Sequence, residues 1–150
     1  MAEIKLGDIY FAKLPDKDKA QRGIQSGVRP VVVISNNKGN RFSPTVIIVP
    51  LTSKIKKTNM STHCIIEANE NNGLKRDSVA LGECITTIPK TDLLQKIGEL
   101  TATEADLVRG IIMFATGDDE LLKCSDNISI TTVSKFLTYM ITMLKTQRVA

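Results

Sequence analysis

The stretch Ser26–Asn37, SGVRPVVVISNN, decides how the first half of the chain is built. A glycine-containing loop gives way to Arg29-Pro30 and then to four β-branched residues in succession, closed by two asparagines. An apolar run of that length, bounded by turn formers, predicts a strand. The residue before a proline is pushed toward extended geometry, so Pro30 helps to fix the backbone at Arg29 where the strand begins. Gly23 and Gly27 allow the preceding loop to approach a bulky ligand closely.

Segments of the same kind surround this one. IYFAKL at Ile9–Leu14, TVIIVPLT at Thr45–Thr52, THCIIEA at Thr62–Ala68 and SVALGECITTI at Ser78–Ile88 are rich in β-branched and aromatic residues. Turn-forming stretches separate them, among them Asn36-Asn37-Lys38-Gly39-Asn40, Ser43-Pro44 and the polar NENNGLKRD at Asn69–Asp77. Strands at short spacing, with no helix-length segment between them, predict an antiparallel sheet or a small barrel.

After Ile88 the period changes. Pro89–Leu100, with Leu93, Leu94 and Ile97, is expected to be helical, and Thr101-x-x-Glu104 is a capping-box pattern ahead of Leu107, Val108, Ile111 and Ile112. Gly117 is a natural stop for that helix. Strands and helices segregate along the chain, which favours an α+β, mainly β fold over a parallel sheet. Val133, Phe136, Leu137, Met140, Ile141 and Leu144 then fall on one helix face, predicting an amphipathic C-terminal helix. The expected organisation is a domain over 1–117, then a linker and helix over 118–150 that packs on the core or on a partner subunit.

With 150 residues, 42% apolar and 24% charged, the chain suits one globular domain and excludes a disordered or fibrous protein. The three cysteines, Cys64, Cys84 and Cys124, form no CxxC pair, and with His63 as the single histidine they cannot supply a four-ligand zinc set. Thiols in a reducing compartment fit this usage. The N-terminus lacks the signal-peptide pattern and no run reaches membrane-span length, so a cytoplasmic protein without membrane contact is expected.

The net charge of +4 is unevenly spread. Between Lys13 and Lys57 stand Lys13, Lys17, Lys19, Arg22, Arg29, Lys38, Arg41, Lys54, Lys56 and Lys57, against Asp16 and Asp18 alone. Such a segment suits a polyanion, although a solvated rim of lysines gives the same count.

No GxSxG, HExxH, P-loop or dinucleotide fingerprint is present. His63 and Cys64, adjacent in a predicted strand, would point to opposite faces, which argues against a nucleophilic dyad and for a structural or surface histidine. Arg29 offers a planar fork of donors suited to phosphate, and a structural ion pair with a carboxylate is the alternative. Thr52 and Ser53 supply hydroxyls at the end of the next strand, where hydroxyls also commonly satisfy backbone groups. If the strands on either side of Asn36–Thr45 pair, Arg29 and Thr52 come to the same edge of the sheet.

The runs GDIYFAKL (Gly7–Leu14), QSGVRPVVVISNN (Gln25–Asn37), GNRFSPTVIIVPLTSKI (Gly39–Ile55) and RDSVALGECITTI (Arg76–Ile88) resemble, in order and spacing, the signatures of MazF/PemK toxins. The resemblance covers roughly Lys5 to Thr116. It implies an SH3-like antiparallel β-barrel with helices (the CcdB/MazF-like fold), a homodimer, and cleavage of single-stranded RNA at short motifs without metal or other cofactor. It places the catalytic arginine on Arg29 and the catalytic threonine on Thr52. Substrate binding would fall to Gln25 and Ser26 before the arginine, to Ser53, Lys54 and Lys56 after the threonine, and to Glu83 and Cys84. The implied partner is an antitoxin whose acidic C-terminal tail competes for the RNA groove.

This chain departs from the family pattern in two places. Ile24 stands where many relatives carry an acid, and Glu83-Cys84 where some relatives read bases with Glu-Gln. A gyrase-binding toxin of the same fold and a catalytically inactive RNA-binding relative are the alternative functions. The retained GVRP and LTS segments argue against the first.

Overall fold

The computed structural model describes residues 2–16, 23–55 and 60–117. The expected C-terminal helix of 118–150 lies outside these residues, as do Lys17, Lys19, Arg22, Lys56, Lys57 and Cys124.

The described chain forms seven strands and two helices. The strands are β1 (Asp8–Leu14), β2 (Gly27–Val33), β3 (Thr45–Thr52), β4 (His63–Ile66), β5 (Ser78–Leu81), β6 (Thr86–Pro89) and β7 (Leu93–Glu99). The helices are α1 (Asn37–Phe42) and α2 (Ala102–Thr116). The strands follow the order β4-β5-β3-β2-β1-β7, with β6 also on β3, and every pairing is antiparallel. One edge of β3 is shared, its first half pairing with β6 and its last two residues with β5. This is the expected mainly β, α+β barrel-like architecture.

Both faces of the central strands are buried, which explains the unbroken apolar run. Val31 and Val33 join Tyr10, Ala12, Leu14, Val46 and Ile48 in one core. Val32 turns to the other side, to Ile9, Val49 and Leu51 under Val108 and Ile111 of α2. The three valines are 0%, 1% and 0% exposed. Burial of side chains this size stabilises by about 1.5–3 kcal/mol each.

The capping box closes α2 as its sequence predicts. Thr101 N–H donates to Glu104 Oε2 at 2.8 Å, and Glu104 N–H donates back to Thr101 Oγ1 at 3.3 Å.

Three local expectations need correction. Pro89–Leu100 is not helical: a 3-10 turn at Lys90–Asp92 leads into β7, which gains its backbone partners from β1. Ser78–Ile88 is two strands, broken by a 3-10 turn at Gly82–Cys84. A Cβ at Gly82 would stand 2.8 Å from Thr62 O and 3.0 Å from Ile111 O, so glycine is needed where the chain squeezes between β4 and α2. Finally, the asparagine-rich segment after β2 forms α1, with Asn36 Oδ1 accepting from Gly39 N–H at 2.7 Å as its N-cap.

Candidate active site

Arg29 lies in β2 directly across from Ala12 of β1. Cross-strand partners share a face, so the arginine stem rises over the smallest side chain in that row, at the rim of the first core. Its Nε–H donates to the carbonyl of Ser26 at 2.7 Å, which folds the preceding loop back onto the side chain. Among the described residues no carboxylate lies within ion-pair distance of the guanidinium. Of the two roles open to it from sequence, the ion pair therefore has no partner there, and the outer edge of the fork is left for another anion.

Thr52 ends β3. The β2–β3 ladder runs Val33↔Ile48, Val32↔Val49 and Val31↔Pro50. The ladder ends at that pair; the same register continued by two residues would bring Arg29 opposite Thr52. Side chains alternate along a strand, so Thr52 shares a face with Ile48 and Val46, as Arg29 does with Val31 and Val33. By alternation the two side chains belong to one face of the sheet, beyond the last β2–β3 pair. Thr52 Oγ1 accepts from Lys54 N–H at 3.2 Å, closing a small turn. A hydroxyl that accepts this bond keeps its own proton to donate.

The turn at Gly82–Cys84 closes the other side. Cys84 Sγ meets Gly23 O at 3.5 Å, so the loop before β2 reaches across β3 to it. Of the expected site residues, Gln25 and Ser26 lie in the loop before β2, Ser53 and Lys54 are exposed after β3, and Glu83 and Cys84 lie in the 3-10 turn, which the Cys84–Gly23 contact ties to the first of these segments. Lys56 lies outside the described residues. Ile24, in the loop before β2, is 53% exposed.

Glu83 has a partner that its sequence does not announce. Its Oε1 lies 2.6 Å from His63 Nε2, on β4. Burial alone would raise the Glu83 carboxyl, but the hydrogen bonds that it accepts, foremost from His63, outweigh burial and hold it below the usual carboxylate range. Cys64, beside His63, is packed against the second core, and burial pushes its thiol up to about 11. A thiol so placed stays protonated at neutral pH and is a poor nucleophile. His63 is thus a support for Glu83, as no local spacing could reveal across twenty residues of chain.

Among the described residues no helix is long and apolar enough to cross a membrane, and no three His, Cys, Asp or Glu side chains are grouped to hold a metal ion.

The chain is similar to known proteins. The family of PemK-like, MazF-like toxins of type II toxin–antitoxin systems matches residues 5–115. Endoribonuclease EndoA of Bacillus subtilis is 46% identical over 105 residues, covering 70% of this chain and 87% of that protein. Endoribonuclease MazF of Staphylococcus saprophyticus is 38% identical over 114 residues, covering 76% and 92%. The solved Mycobacterium tuberculosis toxin MazF-mt6 matches with a TM-score of 0.58 at 25% identity, over 72% of this chain and 94% of that one. The chain belongs to the PemK-like, MazF-like toxins of type II toxin–antitoxin systems.

Proposed function

We propose that this toxin is an endoribonuclease that cuts single-stranded RNA at short motifs, with Arg29 and Thr52 at the scissile phosphate. The observation that carries the reading is the state of Arg29: oriented through Nε by Ser26 O, with no carboxylate among the described residues within ion-pair distance, and on the strand that pairs with the one ending at Thr52. Two relatives bearing the name endoribonuclease support it.

In this reading the RNA 2′-oxygen bonds to phosphorus as the bond to the 5′-oxygen breaks. The 2′-proton leaves to solvent and the departing 5′-oxygen takes one up, giving 2′,3′-cyclic phosphate and 5′-hydroxyl ends. Negative charge grows on the non-bridging oxygens in the transition state. Arg29 offsets that charge with its outer N–H groups, and the Thr52 hydroxyl donates to the same centre. Arginine holds its proton too tightly to serve as general base, so its role is electrostatic.

Gln25, Ser26, Ser53, Lys54, Lys56, Glu83 and Cys84 would contact the flanking nucleotides, with the Glu83 carboxylate accepting from base amino groups. An antitoxin with an acidic tail would compete for this cationic surface, and a homodimer is the expected assembly. Single-stranded RNA incubated with the protein in excess EDTA tests the activity. Fragments ending in cyclic phosphate are expected, and intact RNA across a broad set of sequences would overturn the reading.

A further inference from the structure

On the other face of the same strands lies a cavity of about 400 Å³. Phe11, Pro30 and Gln95 form its floor, a single row across β2, β1 and β7, since Phe11 pairs with both of the others. The loop at Gly73–Arg76 forms its wall, and Ser53 also lines it. Pro30 and Ser53 are the immediate chain neighbours of Arg29 and Thr52, so the cavity lies across the sheet from the candidate active site, at the same strand ends.

The wall is built to stay in place. Gly73 has φ +66°, and a Cβ there would fall 1.9 Å from Ile97 O; a Cβ at Gly98 would fall 2.3 Å from the carbonyl carbon of Asn72. The loop therefore lies backbone to backbone on β7. Asn72, fully buried, donates from Nδ2 to Glu67 O at 2.8 Å and accepts at Oδ1 from Leu74 N–H at 3.1 Å. These contacts hold Lys75 and Arg76 over the floor without an induced fit.

The chemistry of the lining is that of a nucleotide site. Among the described residues no carboxylate lines the cavity, and neither Lys75 nor Arg76 has an ion-pair partner. The neighbouring Asp77 is turned to Ala68 N–H, at 2.8 Å. Lys13, two residues along β1 from Phe11, adds a third cation to the same face. Beneath the cations, half-buried Phe11 and Pro30 offer flat apolar surface, and the Gln95 amide and Ser53 hydroxyl offer polar contacts for a base edge. An aromatic platform under unpaired cations is how single-stranded nucleic acids are held: stacking on the ring and charge on the phosphate.

We infer that this cavity binds a nucleotide flanking the one cut, its base against Phe11 and Pro30 and its phosphate on Lys75 and Arg76. The inference rests on the RNA-cleaving function proposed above and extends it to a second subsite. It assigns a task to the NENNGLKRD segment, which the cleavage chemistry leaves unused.

The test measures binding of fluorescein-labelled random-sequence RNA pools, 4 to 12 nucleotides long, to the full chain carrying Arg29→Ala. Affinity should rise with length, and adding Lys75→Ala with Arg76→Ala should abolish that gain. On the longest pool the loss should be about tenfold, with a salt dependence shallower by roughly 0.7 for each phosphate contact removed. Phe11→Leu, which keeps the apolar volume, should weaken binding about fivefold with an unchanged salt slope. Equal affinities and slopes at every length would overturn the inference. So would unchanged RNA binding with loss of poly-glutamate binding, which would mark a site for an acidic peptide, or a change of oligomeric state alone, which would mark a contact between copies. If the protein with Arg29 intact neither binds nor cuts RNA, the proposed function itself fails. If it cuts while the Lys75/Arg76 variant binds every pool equally well, only the second subsite fails.

Discussion

His63 Nε2 and Glu83 Oε1 stand 2.6 Å apart and join β4 to the 3-10 turn at Gly82–Cys84. The histidine is the more deeply set, its side chain 13% exposed against 42% for the glutamate, so it anchors while the carboxylate looks outward. His63 Nδ1 is buried without a hydrogen-bond partner, leaving the contact to Glu83 as the ring's polar tie among the described residues.

A pH signature follows from this pair. The Glu83 carboxyl is held below its ordinary value, so its ionised form contributes stability at pH values above the unfolded value of about 4.3. That contribution is lost as pH falls through the folded value. Glu83→Gln removes the titrating group. Its melting temperature should lie below that of the unmodified protein near neutral pH, and the gap should close as pH falls below the usual carboxylate range; a gap constant with pH would contradict the pairing.

Cys64 should be chemically quiet. With its thiol pushed up to about 11, it is protonated at neutral pH, and alkylation by iodoacetamide in the folded protein should be far slower than after denaturation. Mass-spectrometric mapping of the modified cysteines measures this directly. Cys64→Ser should retain RNA cleavage, and its loss would reopen a role for the adjacent Cys–His pair.

Two glycines should respond to alanine in opposite directions. Gly73→Ala forces a Cβ into Ile97 O at a φ of +66°, a clash of backbone with backbone that should destabilise by about 2–4 kcal/mol. Gly110, in α2, has open space for 4 Å around the position a Cβ would take, so Gly110→Ala should stabilise by about 0.5–1 kcal/mol. Urea denaturation of the two variants reads both values.

What is legible in the sequence is what local chemistry determines. The β-branched runs announce β1, β2 and β3, Thr101 and Glu104 mark the start of α2, and the turn between β2 and β3 brings Arg29 and Thr52 to one edge. β7 escapes such a reading because among the described residues it pairs with β1 alone and exposes most of its length, so Leu93, Leu94 and Ile97 show no alternation. The break at Gly82 depends on Thr62 O and Ile111 O, which are distant in sequence. The His63–Glu83 tie and the cavity wall at Gly73–Arg76 likewise arise only when separate segments meet. The motif residues of the site can be found in the chain, but the groups that support them cannot.

The substitution of Arg29 by lysine separates charge from geometry. Lysine keeps the positive charge but has neither the Nε–H that meets Ser26 O nor the planar fork that spans two phosphoryl oxygens. Arg29→Lys should therefore cut more slowly than the unmodified protein and faster than Arg29→Ala, as read by initial rates on one RNA.

The most direct test of the account is the single-turnover cleavage rate of single-stranded RNA in EDTA by the unmodified protein, Arg29→Ala and Thr52→Ala, with product ends identified by mass spectrometry. The unmodified protein should leave 2′,3′-cyclic phosphate and 5′-hydroxyl ends, and each alanine variant should lower the rate about 10²-fold or more while still folding. Cleavage by Arg29→Ala at the unmodified rate, or no cleavage by the unmodified protein, would contradict it.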